Sequence, residues 1–151
     1  MSDSFENHAI IPETMNPFAI FLRQARLSRA KAQNALAFEL GYEPSYLSAL
    51  ERGDKGPPKP EFINKLIHCL ELTEEEQTLL RQAIEVSARQ IAIPRNASSE
   101  EFRLMHQLSK KVGQLHPLQV HLIQCALSIP PGALESIDFF PIPTIREELK
   151  M

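Results

Sequence analysis

From residue 17 to residue 127 the apolar positions recur three and four residues apart, punctuated by proline and glycine, and this pattern predicts helices throughout. Pro17 suits a helix start with Asn16 as its N-cap, and Phe18, Phe21, Leu22 and Ala25 then share one face. A short second helix runs from Gln33 to Leu40, with Leu36, Ala37 and Leu40 inward and Gly41 as its stop. Pro44 opens a third, with Leu47 and Leu50 inward, which ends at Gly53. Residues 56–60 hold three prolines and predict a rigid loop before a fourth helix from Glu61 to Leu70, which turns Phe62, Leu66, Ile67 and Leu70 to one side. Thr73 with Glu76 reads as a capping box for a fifth, which runs through Leu79, Leu80, Ala83 and Ile84 and as far as Ile91.

Beyond a linker at Pro94 to Ala97, Ser98 or Ser99 caps a sixth helix with Phe102, Met105, Leu108 and Val112 on one stripe, closed by Gly113. Pro117 opens a seventh, with Leu118, His121, Leu122, Cys125 and Ala126 along one side, ending near Pro130, Pro131 and Gly132. No segment alternates apolar and polar residues long enough for a strand, so the expected fold class is all-α. The expected organisation is a flexible arm over 1–15, a five-helix domain over 16–92, a helical oligomerisation module over 93–132 and an extended tail over 133–151. That tail holds Phe139 and Phe140 and is too apolar to float.

A chain of 151 residues with 43% apolar and 23% charged residues has a globular composition, which argues against disorder and against a disulfide scaffold. It holds no apolar run of the about 18–20 residues a spanning helix needs, and no basic N-terminal segment followed by an apolar one. The expectation is a cytoplasmic, nucleoid-associated protein without a membrane partner. Cys69 and Cys125 lack CxxC spacing and read as thiols in a reducing compartment.

The net charge of −3 conceals an uneven distribution. Residues 17–60 carry seven basic side chains against four acidic ones, a net +3, while 1–16 and 61–93 are each −3 and 94–151 are neutral. The basic segment coincides with the second and third helices. No Ser/His/Asp order, glycine-rich phosphate loop or paired-carboxylate arrangement stands out, so no enzyme is expected. His121 and Cys125 are four apart on one face with His116 five before, but a zinc site needs three or four converging ligands, and neither a metal nor a cofactor is expected. His68 and Cys69, adjacent on a helix, point about 100° apart and make poor co-ligands.

The stretch from Gln33 to Gly53 has helix-turn-helix geometry: a small Ala37 where two helices cross, Gly41 at the turn, and Leu36, Leu40, Leu47 and Leu50 closing the wedge. It closely resembles the phage-repressor-type (XRE, lambda-repressor-like) DNA-binding domains over about residues 17–90. The resemblance is carried by Leu22-Arg23-Gln24-Ala25-Arg26, Gln33, Leu36-Ala37, Leu40-Gly41, Tyr46-Leu47-Ser48, Leu50-Glu51-Arg52-Gly53 and Pro57-Pro58. It implies a five-helix lambda-repressor-like domain, with a C-terminal helical hairpin and tail following it here.

Residue by residue, the resemblance implies that Arg26 and Glu51 form an ion pair tying the recognition helix to the first. Gln33 clamps a phosphate, with its backbone N–H supporting that role. Pro44, Ser45 and Ala49 occupy base-reading positions, and Tyr46 and Ser48 beside them reach the backbone or a base edge. Arg52 and Lys55 follow on the phosphate side. Lys31 and Ala32 replace the common Leu-Thr before Gln33, so Lys31 turns outward and joins Arg29 near a phosphate. Pro44 and Ala49 offer only apolar contact, so direct readout is thin and DNA shape carries part of the specificity. Glu43 stands where Ser or Thr is usual, and caps imperfectly or accepts from a cytosine amine.

The function expected is a sequence-specific transcriptional regulator, a repressor on a palindromic double-stranded operator. Its sixth and seventh helices either complete its own core or pair with a second copy, the homodimer being favoured. The alternative of another class is an antitoxin that neutralises a toxin and autoregulates its operon. A protein partner would then be a toxin, or in the first reading the transcription machinery. A helical interaction module that no longer binds DNA also stays open.

Overall fold

The computed structural model describes residues 15–133. Among them lie seven α-helices, one short 3-10 turn and no strand: α1 (Pro17–Leu27), α2 (Gln33–Leu40), α3 (Pro44–Glu51), α4 (Pro60–Cys69), α5 (Glu74–Val86), α6 (Ser99–Lys111) and α7 (Pro117–Leu127). The all-α expectation therefore holds. The chain divides into two compact units, Met1–Ala92 and Ile93–Met151. Apart from Met15, the expected arm lies outside the described residues, as does the expected tail from residue 134 onward with Phe139 and Phe140. Met15 itself is buried, so it does not belong to an arm.

Four of the helices, α1, α3, α4 and α7, open with proline at their first turn, where the missing N–H costs no hydrogen bond. Pro60 is one of them: expected in the loop, it begins α4 because its fixed φ also suits a first helical residue. Thr73 with Glu76 and Ser98 with Glu101 form capping boxes at α5 and α6. Gly41 ends α2 in the left-handed region, with φ 74°, and its N–H and that of Tyr42 close on the last carbonyls of the helix.

In the first unit α1 packs against α3 and α5, and α2 against α3 and α4. The core between them holds Phe18, Leu22, Leu36, Leu40, Leu47, Leu50, Phe62, Leu66, Leu70 and Leu80, all fully buried. Burial of each such side chain stabilises by about 1.5–3 kcal/mol, so this cluster outweighs any surface ion pair. In α5 only Leu80 of the adjacent leucine pair lies on the α1-facing side, and Leu79 is exposed. One expectation is corrected: the helix stops at Val86 instead of reaching Ile91, since the chain turns at Ser87 to meet the start of α1.

That meeting closes the domain. The Phe18 N–H donates to the buried Ser87 hydroxyl at 2.9 Å, and the same hydroxyl donates to the Ala83 carbonyl at 2.6 Å. With Asn16 Oδ1 accepting from Ala19 N–H at 2.9 Å, both donors next to Pro17 are satisfied.

In the second unit no residue of α6 or α7 is buried. The apolar stripes read from the sequence are present, but Phe102, Leu118 and Leu122 remain 50%, 58% and 58% exposed. Val112 lies just outside α6, as its C-cap. His116, not singled out as a cap, takes that role for α7 by accepting from Leu118 N–H through Nδ1 at 3.1 Å. Ser87→Ala is expected to leave the Phe18 N–H buried without an acceptor, lowering unfolding free energy by about 1–3 kcal/mol. Thermal denaturation checks this: the midpoint drops by several degrees, whereas an unchanged midpoint would mean that another acceptor serves Phe18.

Candidate nucleic-acid interface

α2, Gly41 and α3 form a bent pair whose inner faces are apolar and whose outer faces carry the polar residues singled out above. Its centre is electrostatic. Arg26 on α1 donates from Nε to Glu51 Oε1 at 2.6 Å and from Nη2 to Oε2 at 2.8 Å, a bidentate pair with side chains only 10% and 5% exposed. Arg26 Nη1 reaches the Lys31 carbonyl at 2.8 Å, and Gln33 Nε2 donates to Glu51 Oε2 at 3.0 Å. Hydrogen bonding to Glu51 raises the Arg26 guanidinium above its ordinary value, against the burial that lowers it. One carboxylate thus gathers α1, the start of α2 and the end of α3.

Gln33 is the first residue of α2, and its side chain is held by Glu51 rather than left free. The amide keeps a second N–H for another acceptor. Ala32, at the N-cap, makes no side-chain hydrogen bond, which leaves the first backbone N–H groups of α2 open to an anion. Glu43 likewise makes no capping hydrogen bond to α3.

Along α3, Pro44 and Ser45 are exposed, and Tyr46 and Ser48 half-buried. Ala49, expected at a base-reading position, is only 9% exposed. Arg52 is exposed and bonds to Ser48 Oγ and to Asp54 Oδ2, the latter at 2.8 Å. That ion pair is 60% and 55% exposed, so water screens it and it is worth at most about 1 kcal/mol. Arg52 can therefore turn to a phosphate at little cost. Lys55 lies over the Tyr46 ring, 4.9 Å from its centroid.

Arg29 and Lys31, also expected near a phosphate, are each bonded within the domain. Arg29 donates to Glu76 Oε2 at 2.8 Å and to the Ala25 carbonyl at 3.2 Å, fastening the loop after α1 to the first turn of α5. Arg29, and then the Thr73 N–H, hold the Glu76 carboxyl below the usual carboxylate range. Lys31 pairs with Glu39 and donates to the Cys69 carbonyl at 3.2 Å, joining α2 to the end of α4. Both cations serve the fold.

An aromatic cluster went unread in the sequence. Tyr42 and Tyr46 stack with centroids 5.4 Å apart, and Phe62 meets them edge-on at 5.1 and 5.9 Å. Lys65 lies 5.3 Å over Tyr42. The four-residue spacing of the tyrosines was visible, but it spans the break before Pro44. Burial pushes the Tyr46 phenol up, so it stays a hydroxyl donor at neutral pH. In the second unit Cys125 Sγ and His121 Nε2 are 3.6 Å apart, and no group of three metal-binding side chains occurs among the described residues.

A family model described as a helix-turn-helix domain matches residues 17–80. The chain is 38% identical over 61 residues to "Uncharacterized HTH-type transcriptional regulator RghRB" of Bacillus subtilis (strain 168), covering 40% of this chain and 44% of that protein. It thus spans less than half the length of that relative. Among solved structures, the clp gene regulator ClgR from C. glutamicum matches at 27% identity and a TM-score of 0.40, over 48% of this chain and 90% of that one. A SinR protein/SinI protein complex matches at 21% identity and a TM-score of 0.39, over 73% and 93%.

Replacing Glu51 by alanine is expected to strand a buried guanidinium and cost about 3–5 kcal/mol. Urea denaturation checks this, with Asp54→Ala as the exposed counterpart expected to cost at most about 1 kcal/mol. Equal losses in the two variants would remove the central role given to Glu51.

Proposed function

We propose, from the helix-turn-helix domain family to which residues 17–80 belong, that the chain is a sequence-specific DNA-binding transcriptional regulator. The observation that carries this reading is the exposed, cation-flanked face of α3. Ser45, Ser48 and Arg52 lie along it, with Lys55 following, and it is set on a rigid scaffold by the Arg26–Glu51 pair. α3 enters the major groove, where Ser45 reaches base edges and Pro44 a thymine methyl. Gln33, Tyr46, Ser48, Arg52 and Lys55 hold the phosphates and sugars on either side. With so few base-reading groups, part of the selectivity comes from the ease of deforming the duplex.

The regulator acts as a homodimer that represses by occupying a palindromic operator. The unburied apolar positions of α6 and α7 support pairing, since such stripes are costly to leave in water. Two linked copies on half-sites about one helical turn apart multiply a weak single-domain affinity.

A salt titration against a labelled duplex from upstream of the protein's own gene, beside a random duplex, tests the DNA reading. Affinity falls linearly on logarithmic axes, by about 0.9 in slope for each phosphate neutralised. Gln33→Ala weakens both duplexes alike, and Ser45→Ala narrows the gap between them by about 1–3 kcal/mol. No binding to either duplex at low salt would overturn the reading. For the dimer, sedimentation of the full chain is expected to show two copies, and Leu118→Asp with Leu122→Asp one; a wild-type monomer at high concentration would refute it.

A further inference from the structure

The turn that follows α3 has little regular structure of its own, yet three consecutive backbone carbonyls in it are each taken by a side chain from far along the chain. Gly53 O accepts from Arg89 Nη2 at 2.7 Å and Asp54 O from the same nitrogen at 3.4 Å, while Lys55 O accepts from Asn16 Nδ2 at 3.5 Å. Asn16 also caps α1 through its other amide atom, and Arg89 lies two residues after Ser87, whose hydroxyl is bonded to the first turn of α1. The turn is packed as well as bonded: Gly53 has φ 77°, and a Cβ there would come within 3.3 Å of Asn16 N and Nδ2.

We propose that Arg89 is a positioning residue for DNA binding, which fixes the turn at residues 53–55 and thereby places Lys55 against a phosphate. The proposal rests on the DNA-binding reading above. Arg89 lies outside the matched segment 17–80 and three residues before Ala92, where the first unit ends. A determinant of phosphate contact thus sits at the exit from the domain, not in the helix-turn-helix. Without Arg89, Gly53 O and Asp54 O return to water, the turn samples other conformations, and ordering it again on DNA opposes binding.

The test uses the full chain in four forms: wild type, Arg89→Ala, Lys55→Ala and the double variant. Amide hydrogen exchange without DNA is expected to quicken at residues 53–55 in Arg89→Ala, with protection of the α1, α2 and α4 core unchanged. Affinity for a random duplex at low salt falls roughly tenfold in Arg89→Ala, and its salt slope loses about one. In the Lys55→Ala background the same change costs nothing further, because the contact it served is gone. Additive losses in the double variant would overturn the proposal, since Arg89 would then touch DNA on its own account, and so would unchanged exchange at 53–55. If Arg89→Ala unfolds the domain, Arg89→Met, which keeps the aliphatic stem but has no N–H to donate, takes its place with the same expectations. Faster exchange in a chain whose wild type binds no duplex would remove the DNA reading, and the role of Lys55 with it, while leaving the hydrogen bonds to the turn in place.

Discussion

The first unit turns on one carboxylate. Glu51 receives two hydrogen bonds from Arg26 and one from Gln33, and Arg26 spends its remaining nitrogen on the carbonyl of Lys31. Removing two charges from water offsets most of what their attraction contributes, so the pair is a weak source of net stability. The leucine and phenylalanine core supplies that. What the pair supplies is geometry. An apolar core tolerates small rotations of one helix on another, whereas a bidentate guanidinium–carboxylate pair has one good arrangement. The angle between α1 and α3, and the placing of Gln33 at the start of α2, follow from it.

Around this centre five of the seven cations of residues 17–60 fall into two groups. Arg26, Arg29 and Lys31 are engaged with Glu51, Glu76 and Glu39 and join helices to one another. Arg52 and Lys55 are held only by an exposed ion pair, a hydroxyl and the face of an aromatic ring, all easily exchanged for a phosphate. Glu39 and Glu51 are already counted in the net +3 of residues 17–60, and the pairing of Arg29 with Glu76 takes one further charge from what is free to meet a polyanion. On the proposed reading, few mobile cations and a short polar α3 make a single domain a weak binder. On the same proposed reading, pairing of two copies through the unburied apolar stripes of α6 and α7 would raise the affinity that one copy lacks.

Local signals were legible in the sequence. Proline at the first turn, Thr73 with Glu76, Ser98 ahead of Glu101, and Gly41 and Gly53 after α2 and α3 mark ends whose chemistry is set within a few residues. The core positions followed from spacing, since a period of 3.6 determines which side chains face inward. The pair of Arg26 with Glu51 was legible only through resemblance, since twenty-five residues separate the partners. Nothing in the sequence joined Arg29 to Glu76, Phe18 to Ser87 or Gly53 to Arg89. These partners lie on different helices or turns and have no common period, and they meet only because the core has already folded the helices together. Ala49, buried, and Leu79, exposed, show that neighbouring helices decide what covers a helical position.

On the proposed reading, the exposed face of α3 with the start of α2 and the turn at 53–55 is where this chain meets DNA. Backbone amide chemical shifts of the full chain, followed as a short duplex is added at low salt, test it most directly. The account predicts that amides of Gln33, Asn34, Ser45, Tyr46, Ser48 and Lys55 move, while those beside Arg29 and Lys31 and along α6 and α7 stay near their free positions. Shifts gathered on α6 and α7 alone, or none at any duplex concentration, would contradict it.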